Sequence, residues 1–264
     1  MDFALDEAQQ AVADLADQIL ADRLDMELLL GIEERGAWFD ADLWASLATA
    51  GLLGITLGED VGGSGLDAVA LAILLRAQGN HVAPLPLLPH GVASLAVERF
   101  GSGEQRRHLL PGCADGSIVL TVAVQEYLDD RTREPAVRVA EGGLHGTKIV
   151  VEAADLAGHA VVTAIGEDGP GLFLVDLSAN GITRTEGRST RLEPLWELEF
   201  DGTPANPLGA GGSTSVDWLV DHLLMGICAT QLGVTEQALR MTAGYTSERE
   251  QFGRPLATFQ AVTQ

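Results

Sequence analysis

The sequence predicts an α+β chain in three parts: an N-terminal helical domain over residues 1–115, a central antiparallel β-barrel domain over 116–210, and the start of an incomplete C-terminal helical bundle over 211–264. Three observations predict it. Apolar residues recur at helical spacing up to about residue 115, short β-rich runs replace them from about residue 117, and a helical period returns after "TPANPLGAGGS".

The first part reads as a series of helices. "DEAQQAVADLADQILAD" repeats apolar residues at three- and four-residue steps, as an amphipathic helix does. "DADLWASLATAGLLGI" opens on an N-cap type of residue, Asp, and sets Leu43, Trp44 and Leu47 on one face. "GEDVGGSG" is a glycine-rich turn that leads into the helical run "LDAVALAILLRAQG". "PLLPHGVASLAVERFG" and "SGEQRRHLLPGCADG" are two shorter helices ended by glycine, the second capped by Ser102. Then "SIVLTVAVQ", "AVRVA", "LHGTKIVVEA", "HAVVTAI", "GLFLVDL", "GITRTEG" and "WELEFDG" follow one another between Gly, Asp and Pro, the spacing of a small antiparallel barrel or sandwich. The last long element, "TSVDWLVDHLLMGICATQLGVTEQALRMTAGYTSER", is rich in Ala and Leu on more than one side and so expects partner helices. Only "PLATFQAVTQ" follows it, and the bundle is expected to be cut short.

Composition narrows the function classes. With 38 acidic against 16 basic residues the net charge is −22, which repels phosphate backbones and anionic lipid surfaces. Lys148 is the single lysine, and it reads as a surface strand residue. Cys113 and Cys228 match no metal or redox spacing, and no metal is expected. The N-terminus carries acids where a signal peptide needs a basic start, and no apolar run approaches the roughly 20 residues of a bilayer span. A cytoplasmic globular protein is expected, with no nucleic-acid or membrane partner.

Three stretches together resemble the acyl-CoA dehydrogenase family. "LGEDVGGSGLD" looks like its Pro-Glu-x-x-Gly-Gly-x-Gly turn, and "FGSGEQRRHLLPGCADGSIVLT" resembles its Gly-x-x-x-Gln-Lys-x-x-x-Leu-Pro approach to the first strand. "YTSEREQFGRPLATFQ" matches Tyr-x-x-x-Arg-x-Gln-Phe-Gly-x-Pro-x-x-x-Phe-Gln almost letter for letter. The resemblance implies FAD, an acyl-CoA thioester substrate desaturated between its α and β carbons, a homotetrameric or related assembly, and electron-transfer flavoprotein as electron acceptor. It also implies that the last motif reaches across a subunit interface to the FAD pyrophosphate and adenosine. That assigns Arg249, Gln251, Phe252 and Gln260 to cofactor binding. Taken alone, Arg249 reads as a cation on a helix C-terminus; within the motif, its fork of donors suits a pyrophosphate.

The sequence departs from the family where the flavin ring should lie. Of Leu-Thr-Glu-Pro-x-x-Gly-Ser-Asp, "LTVAVQEYLDDRTREP" keeps Leu120 and Thr121, and Thr121 is carried over as a cofactor residue. Of Gly-x-Lys-x-Trp-Ile-Thr-Asn, "GTKIVVEA" keeps Lys148, while Val150 and Glu152 stand for the Trp and Thr. The early position of the family's catalytic Glu falls on Leu223, followed by Leu224; His222, Glu236 and Glu248 read as structural or surface residues. No catalytic residue is therefore assigned in this chain. It resembles most a non-catalytic partner subunit of a heteromeric bacterial dehydrogenase of the steroid side-chain type. A fragment of a self-sufficient dehydrogenase, a flavin-dependent oxidase or monooxygenase, and a flavin-free scaffold are the alternatives.

Overall fold

The computed structural model describes residues 4–127, 131–191, 193–209 and 212–263. The expected division between residues 210 and 211 falls outside them. Six helices come first: α1 (Glu7–Arg23), α2 (Met26–Glu34), α3 (Ala41–Thr49), α4 (Ala68–His81), α5 (Leu87–Phe100) and α6 (Gly103–Ala114). Side-chain caps start most of them. Asp6 and Ser102 each form a capping box with a Gln three residues on, and Asp25, Asp40 and Asp67 each accept backbone N–H bonds of the first turn. Leu43, Trp44 and Leu47 are all buried, as their spacing predicts. Helix α2 has no counterpart in the sequence reading; its short "MELLLGIEE" run leaves Met26 and Leu30 largely exposed and buries only Ile32.

The strands are β1 (Leu120–Ala123), β2 (Arg138–Ala140), β3 (Gly143–Glu152), β4 (His159–Gly166), β5 (Gly169–Asp176), β6 (Ile182–Arg188), β7 (Pro194–Thr203) and β8 (Asn206–Leu208). They form a mixed sheet in the order β6-β7-β3-β2-β4-β5-β8, with β1 attached to β4. This corrects the antiparallel barrel. Strand β1 runs parallel to β4 (Leu120 opposite His159), β2 touches β4 through one parallel pair, and no pairing between β6 and β8 closes the path among the described residues. Strand spacing predicts strands, not their directions, so the parallel pairs were invisible in it.

Period-2 alternation divides the sheet between two cores. Val161, Leu172 and Leu174 face the helices with Leu120 and Leu208, whereas Ala160, Val162, Phe173 and Val175 face a second cluster with Leu144, Val151 and Phe200. Helix α7 (Ser213–Glu248) then lies across α4 and α5. Its crossing with α4 is close because glycine meets backbone on both sides. A Cβ on Gly79 would fall on the Thr230 carbonyl, and one on Gly233 on the Arg76 carbonyl. A two-pronged ion pair flanks the crossing, Arg76 Nε to Glu236 Oε2 at 2.8 Å and Arg76 Nη2 to Glu236 Oε1 at 2.9 Å. The chain continues in the hairpin β9 (Glu250–Gln251) and β10 (Arg254–Pro255), a single 3-10 turn, and α8 (Gln260–Thr263). None of the described helices is long and apolar enough to cross a membrane.

Candidate functional site: an apolar pocket and an exposed arm

Two features lie where the sequence motifs pointed, and they differ in character. The first is a pocket of about 140 Å³ between α5, β1, β3 and α7, lined by Leu88, Pro89, Val122, Val124, Val150, Glu152, Val220, Leu223, Leu224 and Ile227 among others. Strand β3 reaches it through an irregular stretch. Its pairing with β7 shifts between Lys148 and Val151, and Val150 and Ala153 adopt φ of 56° and 55°. A β-branched residue in the left-handed region is strained, so the bulge re-aims this end of the strand at a cost. Glu152 pairs with Arg191 at 3.3 Å, and Arg191 also holds Glu193 at 2.7 Å.

Proton acceptors are scarce here. Leu223 stands where the base was sought. His222 stacks on Trp218 at 3.8 Å and bonds its carbonyl at 2.8 Å, and it does not line the pocket. Thr121 is fully buried, and its hydroxyl donates to the Glu152 carbonyl at 2.5 Å, which leaves no proton for a ligand. The pocket is open to solvent on one side, and its lining is largely aliphatic. The one carboxylate of the lining is already paired, Gln125 and Thr132 are its other polar side chains, and the rest are aliphatic.

The structure corrects the expectation for Lys148. It is not a surface residue but a fully buried one. Its ammonium donates to Glu126 Oε1 at 2.5 Å, Thr163 Oγ1 at 2.9 Å and the Val124 carbonyl at 3.3 Å. Burial pushes its pKa below the ordinary lysine value, and the Glu126 carboxylate opposes that shift. Glu126 in turn accepts from the backbone N–H groups of Ala136 and Val137 at 2.8 and 3.1 Å. Four chain segments therefore meet on one ion pair. The signal was present: Lys148 is four residues from buried Leu144, so strand alternation places both on the inward face.

The second feature is the arm. Arg249 caps α7, its N–H donating to the Tyr245 carbonyl at 2.8 Å while its own carbonyl accepts from Leu256 at 2.9 Å. The guanidinium is exposed and forms no ion pair among the described residues. Gln251 pairs with Arg254 across the hairpin, and the turn between them is Phe252–Gly253, with φ of 55° and 75°. Two successive positive φ values make the tight turn whose twist suits a two-residue hairpin. Glycine takes that conformation freely; Phe252 does not, yet it stands 92% exposed at the tip. Arg254 lies 4.0 Å over the ring of Phe259, whose edge meets Phe252 at 6.2 Å. Gln260 starts α8 and is exposed. Arg249, Gln251, Phe252 and Gln260 thus share one exposed region, and Thr121 lies apart from them, inside the β-region. Their donors and flat face are of the kind that a phosphate-bearing cofactor takes up. Among the described residues no group of three or more His, Cys, Asp or Glu side chains could hold a metal ion.

Comparison with known proteins agrees with the motifs. Residues 6–117 match the family model of the acyl-CoA dehydrogenase N-terminal domain, and residues 211–264 that of the C-terminal domain. Acyl-CoA dehydrogenase FadE27 of Mycobacterium tuberculosis is 34% identical over 270 residues, covering 100% of this chain and 71% of the relative. Among solved structures, a variant of the steroid ACAD Tcur3481–Tcur3483 superposes with a TM-score of 0.90 at 44% identity, covering 97% of this chain and 71% of that one. The ChsE4–ChsE5 complex of Mycobacterium tuberculosis gives a TM-score of 0.90 at 32% identity, covering 100% and 73%. The chain belongs to the acyl-CoA dehydrogenase family.

Proposed function

We propose that this chain is the non-catalytic partner subunit of an FAD-dependent acyl-CoA dehydrogenase, and that it lends its C-terminal arm to a cofactor whose ring lies in a catalytic subunit of different sequence. The carrying observation is the contrast within one molecule: an exposed arm that keeps Arg249, Gln251, Phe252 and Gln260 of the motif, and a largely aliphatic pocket with Leu223 at the expected base position and Glu152 paired with Arg191. Arg249 and Gln251 would hold the pyrophosphate, with Phe252 and Gln260 toward the adenosine; Thr121 has only a structural hydrogen bond to offer. FAD supplies the hydride acceptor when bound, and this chain's part is to bind and orient its phosphate end. Two of the similar solved structures, the steroid ACAD Tcur3481–Tcur3483 and the ChsE4–ChsE5 complex, pair two named components, which supports a heteromer over a homo-oligomer.

The rest of the reading goes with this. The three-part division at residues 115 and 210, a cytoplasmic location, an acyl-CoA substrate with a bulky steroid-type acyl group, and electron-transfer flavoprotein as electron acceptor belong to it. Purification of the chain alone and of the chain co-expressed with its neighbouring dehydrogenase gene tests the proposal by visible spectrum. The chain alone is expected colourless, and the complex yellow with one FAD per pair of unlike subunits. One FAD per copy of this chain on its own would overturn it.

A further inference from the structure

The tip of the arm is held in an unfavourable state. Phe252 combines a φ of 55° with 92% exposure, so neither backbone preference nor burial accounts for its conformation. Such outliers persist where the surroundings fix them, and they cluster at ligand sites. The hairpin by itself is weak support, because each of its strands has only two residues. Two side chains add to it. The ring of Phe259 meets that of Phe252 edge to face, with centroids 6.2 Å apart and planes at 74°. The guanidinium of Arg254 lies 4.0 Å from the centre of the same Phe259 ring.

These contacts join two separate pieces of backbone. Arg254 pairs with Gln251 across the hairpin and therefore flanks the turn that carries Phe252. Phe259 ends the 3-10 turn Leu256–Thr258, and its N–H donates to the Leu256 carbonyl at 2.9 Å. Its own carbonyl accepts from the Val262 N–H at 2.9 Å, which seats it at the start of α8, directly before Gln260. A cation on the hairpin thus meets a ring on the turn that leads into α8. Through Arg254 and Phe259, the two residues read as facing the adenosine, Phe252 and Gln260, are tied to each other.

We propose that Arg254 is a positioning residue for the adenosine end of FAD. It acts through Phe259 and not by touching the cofactor: the stacked pair sets the spacing of Phe252 and Gln260 before FAD binds. This rests on the reading of the arm given above. Ordering the two pieces in advance removes part of the cost of ordering them on binding. An exposed cation–ring contact sets the size of the effect, roughly two- to fivefold in FAD affinity. That is well below the loss expected for a residue paired with the pyrophosphate, as Arg249 is read to be.

The test uses the co-expressed complex stripped of flavin. Hydrogen exchange of residues 250–259 is followed before FAD is added, and FAD is then titrated by fluorescence. Arg254→Ala should speed exchange in this segment and weaken FAD binding roughly two- to fivefold. Arg254→Lys, which keeps a cation for the ring, should restore most of both. In Phe259→Leu the ring is gone, so adding Arg254→Ala should weaken binding no further. The inference fails if Arg254→Ala weakens FAD binding equally with and without the Phe259 ring, or does so with exchange unchanged. Arg254 would then contact a phosphate itself. It also fails if Arg254→Ala binds FAD as tightly as wild type while Arg249→Ala binds it weakly. Undiminished FAD affinity in Arg249→Ala would instead overturn the reading of the arm, and this inference with it.

Discussion

His90 sits at the junction of α5, α6 and β1, fully enclosed, its ring centre 5.0 Å from that of Trp44 in an edge-to-face arrangement. Its Nδ1 accepts from the Leu120 N–H at 3.3 Å, so Nε2 carries the proton that goes to the Cys113 carbonyl at 3.2 Å. Burial pushes its pKa down to about 4 from 6.5, because a charged imidazole has no counter-ion there. The folded pKa is depressed, so the unfolded chain binds the proton more readily. Stability from this group is complete above pH 6.5 and declines as pH falls toward 4, by about 3 kcal/mol in all. Urea unfolding of the wild type should weaken across that window, and His90→Asn, though less stable at pH 7, should show a shallower decline. Lys148 gives a second test at this scale. Lys148→Met leaves the partly buried Glu126 without its cation and should cost about 3 kcal/mol, whereas Lys148→Met/Glu126→Gln should recover much of that loss. Losses that simply add in the double variant would show the pair to be uncoupled. Neither environment was legible from residue type: His90 stands amid an apolar helix pattern, and Glu126 sits in a segment that resembles a degraded flavin motif. What was legible was parity, which puts Lys148 on the face of Leu144.

Helices were easier to read than the sheet, and the reason is range. Capping residues and apolar steps act within one or two turns, so Asp40, Ser102 and the long α7 could be placed from sequence. Strand order, the parallel β1–β4 pair and the short β8 depend on partners tens of residues away. The α4–α7 crossing shows a further limit. Gly79 and Gly233 look like weak points of their helices, since each should cost about 1 kcal/mol against alanine. In the fold they are the contact itself, with backbone where a methyl would go. Gly233→Ala should therefore destabilise in spite of its better helix propensity, and separate Arg76 from Glu236. Thermal unfolding decides the sign; a raised midpoint would mean that the crossing opens without cost.

Across the whole molecule, the apolar residues of α7 that face no described element define how the chain behaves alone. Leu232, Leu239, Met241 and Tyr245 are 50–69% exposed, and Phe252 is 92% exposed. An apolar stripe of this kind associates in water. The 264-residue chain by itself should sediment as an oligomer or aggregate, and co-expression with a catalytic partner should give a defined complex. A monodisperse monomer in sedimentation velocity would contradict this.

The proposed division of labour between arm and pocket is tested by one substitution in each. In the co-expressed complex, Arg249→Ala should remove a charge-assisted contact to the FAD pyrophosphate, a loss of roughly 1.5–3 kcal/mol or about ten- to a hundredfold in FAD affinity. Glu152→Gln should leave flavin content and CoA-thioester dehydrogenation nearly unchanged if, as proposed, the working flavin lies in the catalytic subunit. FAD affinity measured by flavin fluorescence, with turnover on the same samples, reads both at once. Weakened FAD binding in Arg249→Ala beside an active Glu152→Gln is the result this structure predicts. Full flavin and activity in Arg249→Ala, with turnover lost in Glu152→Gln, would place the chemistry in this chain's own pocket and contradict it.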